Sequence, residues 1–206
     1  IAISKDYYTI NRNKNKWITN VNSRNRVHLL RSEYDCILST SESINLDNSL
    51  LNVRLNGLEK GKPDLVIIDL KSRLKKNLKL FKQTNRRIYI VTLKNRNLKK
   101  KLYKKKNIKL IYIKSFHKKD DFINLFKKLN ILGFKRIFVE TGLRFLRTMI
   151  KNEIINNLYV FQSSKKLKNL GYNNISSKFL KKIRFKKRIN VNLEGDNLYK
   201  IDLKNV

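Results

Sequence analysis

Leu65-Val66-Ile67-Ile68-Asp69, opened by Pro63, the only proline of the chain, is a run of four aliphatic side chains with no polar alternation. A strand built this way has no face to give to water. It belongs in a parallel sheet covered on both sides. Arg87 to Thr92 and Lys109 to Ile113 repeat the pattern. Upstream, Cys36 to Ser39 and Ile1 to Ser4 read as shorter strands, and Arg136 to Glu140 as another downstream. Apolar residues at helical spacing separate them. Val27, Leu30 and Tyr34 predict a helix over Asn20 to Tyr34, with Thr19 or Asn20 as its cap, and a helical turn follows near Ser41 to Leu46. Phe122, Leu125, Phe126 and Leu129 mark a further helix, and Thr141-Gly142 leads into one from Leu143 to Lys151. Asn52 to Arg54 reads as a short extended piece. The tail offers strand candidates at Leu158 to Gln162, Lys181 to Lys186 and Leu198 to Leu203. The expectation is an α/β fold, a mostly parallel central sheet flanked by helices with a C-terminal antiparallel hairpin, in a single domain over 1–206.

The chain carries 49 Lys+Arg against 15 Asp+Glu, a net charge of +34. Such a balance points to nucleic acid or another polyanion. The cations are spread along the whole length, however, and the Lys-rich piece from Lys99 to Lys106 reads as a solvated surface. Alanine occurs once while Lys, Asn and Ile abound, the bias an AT-rich genome imposes on any protein. No apolar run of about 18 residues predicts a membrane span. The single Cys36 sits in an apolar run and reads as a buried thiol, which suits a reducing cytoplasm. Two distant histidines and one cysteine predict no metal site. The Gly-rich nucleotide loops and the Gly-x-Ser-x-Gly elbow are absent from the sequence.

Two constellations remain as candidate chemistry. Strand, Glu140-Thr141-Gly142, then helix brings backbone N–H groups to a sheet's carboxyl edge, where a helix start favours phosphate. Glu140 would face a substrate in the same crevice. Arg31 and Arg54, with Arg24 and His28 nearby, supply guanidinium groups that grip phosphate.

Taken in order, these segments resemble the reductase domain of RibD, the bifunctional riboflavin biosynthesis deaminase–reductase. Ile1-Ala2-Ile3-Ser4-Lys5-Asp6 resembles the family's opening strand and turn. Lys16-Trp17-Ile18-Thr19, Ser23-Arg24 and Leu30-Arg31-Ser32-Glu33 match its next run. Ser43, Asp47, Leu51 and Val53-Arg54 follow its pattern of Thr, Asp, Leu and Arg. Pro63 to Asp69 and Val139-Glu140-Thr141-Gly142 complete the likeness, which is dense over 1–70 and 134–162. The resemblance implies a dihydrofolate-reductase-like fold, an NADPH cofactor, a homodimer and a 5-amino-6-(5-phosphoribosylamino)uracil substrate. By carry-over, substrate contacts fall on Asn15, Arg31, Leu51, Arg54 and Glu140, with Glu140 the catalytic group. Cofactor contacts fall on Ala2, Trp17, Ser43, Asp47, Gly142, Leu143, Arg144, Phe145, Leu146, Arg147 and Thr148.

There are departures. Tyr7 stands where the family's opening turn has glycine, Asn15 replaces a serine, and Ser49 a proline. Thr141 replaces a smaller residue, and Leu70 follows Asp69 where a cofactor-contacting serine is common. The zinc deaminase half of the family's full-length members is absent from this chain, either removed or never part of the protein. Two other readings stay open: a basic nucleic-acid-binding protein, and a reductase of the same fold with another pterin or pyrimidine substrate.

Overall fold

Every side chain of β4 (Asp64–Ile68) is buried, as a run without a polar face requires. The computed structural model describes residues 1–13, 15–58, 62–94, 105–185 and 187–203. These fall into two compact units: Ile1–Val27 with Leu143–Val206, and His28–Gly142.

In the His28–Gly142 unit, β4 lies between β3 (Cys36–Thr40) and β5 (Ile88–Leu93). β6 (Ile108–Ile113) extends the sheet beyond β5, and β7 (Ile137–Val139) flanks β3 on the other side. All four pairings are parallel, with Ile37 opposite Leu65 and Leu65 opposite Ile88. Ile37, Leu65, Ile67, Ile88 and Ile90 pack with Leu74, Leu80 and Phe81 into one core. The connection from β4 to β5 is a 3-10 turn at Lys79–Lys82 and contains no α-helix among its described residues. Asp69 is buried, and its carboxylate accepts from the N–H groups of Arg73 and Leu74, so it closes the turn after β4. Residues 99–104 of the Lys-rich piece lie outside the described residues.

Helix α3 (Lys119–Ile131), which follows α1 (Val21–Ser32) and α2 (Ser41–Asp47) along the chain, buries Phe122, Leu125 and Leu129. Its start is held by Asp121, whose carboxylate accepts from the backbone N–H of His117 (2.7 Å) and Lys118 (3.0 Å) and from the Ser115 hydroxyl. These donors hold the Asp121 carboxyl at about 2, against about 3.9 in an unfolded chain. A depressed acid stabilises the fold above its unfolded pKa, and that contribution disappears as pH falls towards the folded value. Between about pH 4 and pH 2 the Asp121→Asn protein is therefore expected to lose less stability than the parent in urea titrations. Parallel pH profiles for the two proteins would contradict this.

The other unit holds two sheets. One is ordered β1-β8-β11-β10, from β1 (Ala2–Ile3), β8 (Asn157–Gln162), β10 (Arg188–Ile189) and β11 (Asn197–Asp202). β1 runs parallel to β8, and β8, β11 and β10 alternate in direction, so the expected antiparallel ending is present. The second pairs β2 (Ile10–Asn11) with β9 (Gly171–Tyr172). Gly171 is required there, because a Cβ would meet the Tyr8 ring at 2.1 Å. The α4 helix (Leu143–Lys151) begins where predicted and buries Leu143, Leu146 and Met149.

One predicted strand is overturned. Within Lys181 to Lys186, residues Lys181 and Lys182 end the helix α5 (Lys178–Lys182), and the described residues up to 185 form no strand. Ile183 and Phe185 alternate with cations, which suggested a strand. Leu180, wholly buried one turn before Ile183, instead draws the segment into a helical turn. The α1 helix also stops earlier than predicted, since Glu33 and Tyr34 make tight bonds to Leu30 and Arg31 three residues back.

Tyr7, standing at the family's glycine position, has φ +67°. The turn around it is closed by Tyr7 N–H to the Ser4 carbonyl and Ser4 N–H to the Tyr8 carbonyl. Left-handed backbone costs a non-glycine residue about 1–2 kcal/mol, so glycine would relieve strain here. Yet the Tyr7 ring is half-buried and stacks on Phe185 with 6.1 Å between centroids. A fully buried aromatic truncation costs about 3–5 kcal/mol, and half-burial roughly half of that. Packing wins narrowly. Tyr7→Gly is expected to destabilise by about 1 kcal/mol in urea unfolding, and a stabilised variant would contradict the estimate.

Candidate active site

In the five-stranded sheet the chain moves from β3 outward through β4, β5 and β6, then returns to place β7 on the opposite flank of β3. Strand order therefore reverses between β3 and β7. In open α/β sheets, ligands enter at the carboxyl ends of strands at such a reversal. Thr40 ends β3 there, and Glu140, Thr141 and Gly142 follow β7 directly.

Glu140 is positioned by its backbone N–H, which donates to the Leu38 carbonyl and continues the β3–β7 pairing one residue further. Its carboxylate meets Arg31 from α1 in a two-pronged pair. Arg31 Nε donates to Oε1 at 2.5 Å and Nη2 to Oε2 at 2.8 Å. The side chains are 11% and 21% exposed, so the pair is largely desolvated while Glu140 keeps an outlet to solvent. Arg31 Nη1 donates to the Asn52 carbonyl at 2.9 Å. His28 Nδ1 lies 2.9 Å from the same oxygen. Burial, then the neighbouring Arg31 and Arg54 cations, push the His28 pKa down, so the imidazole is kept neutral.

Arg54 differs from Arg31. It is exposed, with Nη1 donating to the Asn52 side-chain oxygen at 2.9 Å. Partial burial and the charge of Arg31 lower its pKa, as befits two cations sharing one neighbourhood. Arg31 is thus committed to Glu140, whereas Arg54 presents its charge outward.

On the other side of Glu140 stands a group of hydroxyls. Thr40 caps α2 by accepting from the Ser43 N–H at 3.3 Å. Thr40 Oγ1 lies 3.1 Å from Ser43 Oγ and 3.5 Å from Thr141 Oγ1. Gly142, exposed, donates its N–H to Ser43 Oγ at 2.9 Å. A Cβ at Gly142 would meet only Ser43 Oγ, at an ordinary 3.5 Å, so the glycine is not sterically demanded by the protein itself.

The remaining candidates divide by unit. Leu51 is buried with φ +47° and belongs to the core of the His28–Gly142 unit, and Asp47 is exposed at the end of α2. In the other unit, exposed Trp17 has the Arg24 guanidinium over its ring at 4.7 Å and Lys16 at 5.7 Å. Asn15 is exposed and accepts the Trp17 N–H through its side-chain oxygen. Ala2 sits in β1 opposite Phe161. Along α4, Leu143 and Leu146 are core, Phe145 and Thr148 half-buried, and Arg144 and Arg147 exposed. The Thr148 hydroxyl turns back onto the Arg144 carbonyl. Three participants carried no sequence signal: Asn52, whose backbone oxygen accepts from Arg31 and lies beside His28 Nδ1 and whose side-chain oxygen accepts from Arg54; Thr40; and Arg86, which binds the carbonyls of Leu50 and Leu51. Cys36 is buried and unpaired, its thiol pushed up to about 12 by burial. Among the described residues no helix is long and apolar enough to cross a membrane.

A family model described as the RibD C-terminal domain matches residues 1–171. The riboflavin biosynthesis protein RibD of Buchnera aphidicola subsp. Baizongia pistaciae is 31% identical over 173 residues, which cover 78% of this chain and 45% of that protein. A 5-amino-6-(5-phosphoribosylamino)uracil reductase of Buchnera aphidicola subsp. Acyrthosiphon pisum is 30% identical over 164 residues, 73% of this chain and 75% of that one. RibD of Acinetobacter baumannii superposes with a TM-score of 0.78 at 17% identity, over 98% of this chain and 56% of its own. The riboflavin biosynthesis reductase of Saccharomyces cerevisiae gives 0.74 at 18% identity, over 98% and 86%. The chain spans about half the length of the RibD proteins it matches. The expected α/β architecture is that of these riboflavin-pathway proteins.

Proposed function

This chain belongs to the RibD C-terminal domain family, and from that premise we propose that it reduces the ribosyl group of 5-amino-6-(5-phosphoribosylamino)uracil to a ribityl chain, with NADPH as reductant. The observation that carries the reading is the largely desolvated Arg31–Glu140 pair at the strand-order reversal, with the exposed Arg54 cation joined to it through Asn52.

Each group has a task in this reading. Arg54 receives the ribose phosphate, because a guanidinium keeps its charge and matches two phosphate oxygens at once. Arg31 fixes Glu140 in one rotamer through the two-pronged bond. Glu140 then hydrogen-bonds the sugar hydroxyls and holds the sugar's first carbon open to attack. His28, kept neutral, adds no third cation to a site that already holds two.

The hydroxyl group around Gly142 suits a dinucleotide in its chemistry. Ser43 Oγ accepts from Gly142 N–H, and the two hydroxyl–hydroxyl contacts use two of the three protons of Ser43, Thr40 and Thr141, which leaves one to be given to a phosphate oxygen until the ligand draws the others outward. These are neutral donors beside an exposed glycine, and they bind an anion without trapping it. NADPH bound there supplies the hydride. The protein's contribution is orientation and electrostatics. The same reading makes the active form a cytoplasmic homodimer, with residues 1–206 as one reductase domain. A deaminase domain in the full-length protein would produce its substrate.

The test is NADPH oxidation in the presence of the pyrimidine phosphate. Oxidation is expected with that substrate, and NADPH is expected to exceed NADH in kcat/KM because its extra phosphate meets a basic protein. No oxidation with either cofactor would refute the activity, and equal efficiencies would refute the cofactor choice.

A further inference from the structure

Three consecutive carbonyl oxygens, those of Leu50, Leu51 and Asn52, all turn onto side-chain nitrogen donors. Arg86 Nη2 donates to Leu50 at 2.5 Å and Nη1 to Leu51 at 2.6 Å. Arg31 Nη1 and His28 Nδ1 meet at Asn52, each 2.9 Å from its carbonyl oxygen. The backbone bends to allow this, with Leu51 in the left-handed region at φ +47°. Asn52 then accepts Arg54 Nη1 on its side chain.

Arg86 is an expensive way to hold a loop. It is 5% exposed, no carboxylate pairs with it among the described residues, and its Nε has no hydrogen-bond partner. The nearby Asp64 is engaged by Arg87 instead. A buried cation whose hydrogen bonds go to neutral carbonyls costs a fold more than those two bonds return, and burial, then the neighbouring Arg31 charge, outweigh the distant pull of Asp64 and draw its pKa down to about 10. A residue kept at such a cost beside a candidate site is explained by what it positions.

We propose that Arg86 is a positioning residue for substrate binding: it clamps Leu50 and Leu51 so that Asn52 presents Arg54 to the phosphate of the substrate. The inference rests on the reading of Arg54 as the phosphate contact. Arg86 itself touches no ligand. A lysine ends in a single nitrogen and cannot reproduce the two-nitrogen fork that reaches both carbonyls, so Arg86→Lys keeps the charge and loses the clamp.

The experiment compares the full chain with its Arg86→Lys, Arg86→Ala and Arg54→Ala variants in steady-state kinetics and NADPH titration. Arg86→Lys is expected to raise KM for the pyrimidine phosphate on the order of tenfold, the scale of a small misplacement. Its kcat and NADPH affinity are expected to stay within about twofold. Guanidinium at low millimolar concentration is expected to restore part of the KM of Arg86→Ala by filling the vacated site. An unchanged KM in a folded Arg86→Lys protein overturns the proposal. So does a loss of kcat and NADPH affinity together that tracks the unfolded fraction, since that marks a purely structural role. If Arg54→Ala leaves KM unchanged, the phosphate reading itself fails, whatever the Arg86 variants do.

Discussion

Glu140→Gln is expected to lower kcat/KM for the pyrimidine phosphate on the order of 10³-fold, the range seen when one oriented electrostatic group is removed from a reacting centre. The substitution is nearly isosteric, and the amide oxygen still accepts one bond from Arg31. The amide nitrogen, however, faces the second guanidinium donor, 2.8 Å away in the parent. One donor loses its acceptor and Arg31 loses the carboxylate it pairs with. Stability should fall by about 1 kcal/mol, the scale of one hydrogen bond, so the activity loss cannot be traced to unfolding. Steady-state kinetics beside urea titration separates the two. A folded Glu140→Gln protein with near-parental kcat/KM would remove Glu140 from the chemistry.

Arg31→Ala acts on both stability and turnover. It leaves the Glu140 carboxylate without its cation and withdraws one of the two nitrogens at the Asn52 carbonyl. Breaking a fully buried pair costs about 3–5 kcal/mol. With the partners 11% and 21% exposed, solvent screening brings the expected loss to about 2 kcal/mol. Turnover should drop on the order of 10²-fold, because Glu140 loses its single rotamer. The double variant Arg31→Ala, Glu140→Gln should be destabilised by less than the sum of the two, since the second change removes the charge that the first stranded. Strict additivity would mean that the pair contributes nothing as a pair.

The central strands β3, β4 and β5 were legible because burial on both faces demands unbroken aliphatic runs, as in Leu65 to Ile68. The α4 helix was legible from the strand that runs through Thr141-Gly142 into it, and its buried face of Leu143, Leu146 and Met149 is what the structure adds. The segment Lys181 to Lys186 misled, because so short a piece fits both periods and only the burial of Leu180 decides between them. Arg31 and Glu140 could be nominated one by one, but their bond joins residues 109 apart, which no spacing rule reaches. Sequence assigned both arginines the same task, whereas burial divides them into an internal partner, Arg31, and an outward cation, Arg54. Arg86 was invisible for a simpler reason. In a chain with 49 Lys and Arg, one more cation ahead of a strand carries no signal until its burial is known.

The most direct measurement is isotope transfer. The full chain is incubated with 5-amino-6-(5-phosphoribosylamino)uracil and NADPH carrying deuterium at the transferring position of its nicotinamide, and the product is weighed by mass spectrometry. Transfer of a single deuterium to the first carbon of the ribityl chain is the predicted result. A product without label, or no ribityl product at all from folded protein, would contradict hydride reduction at this site.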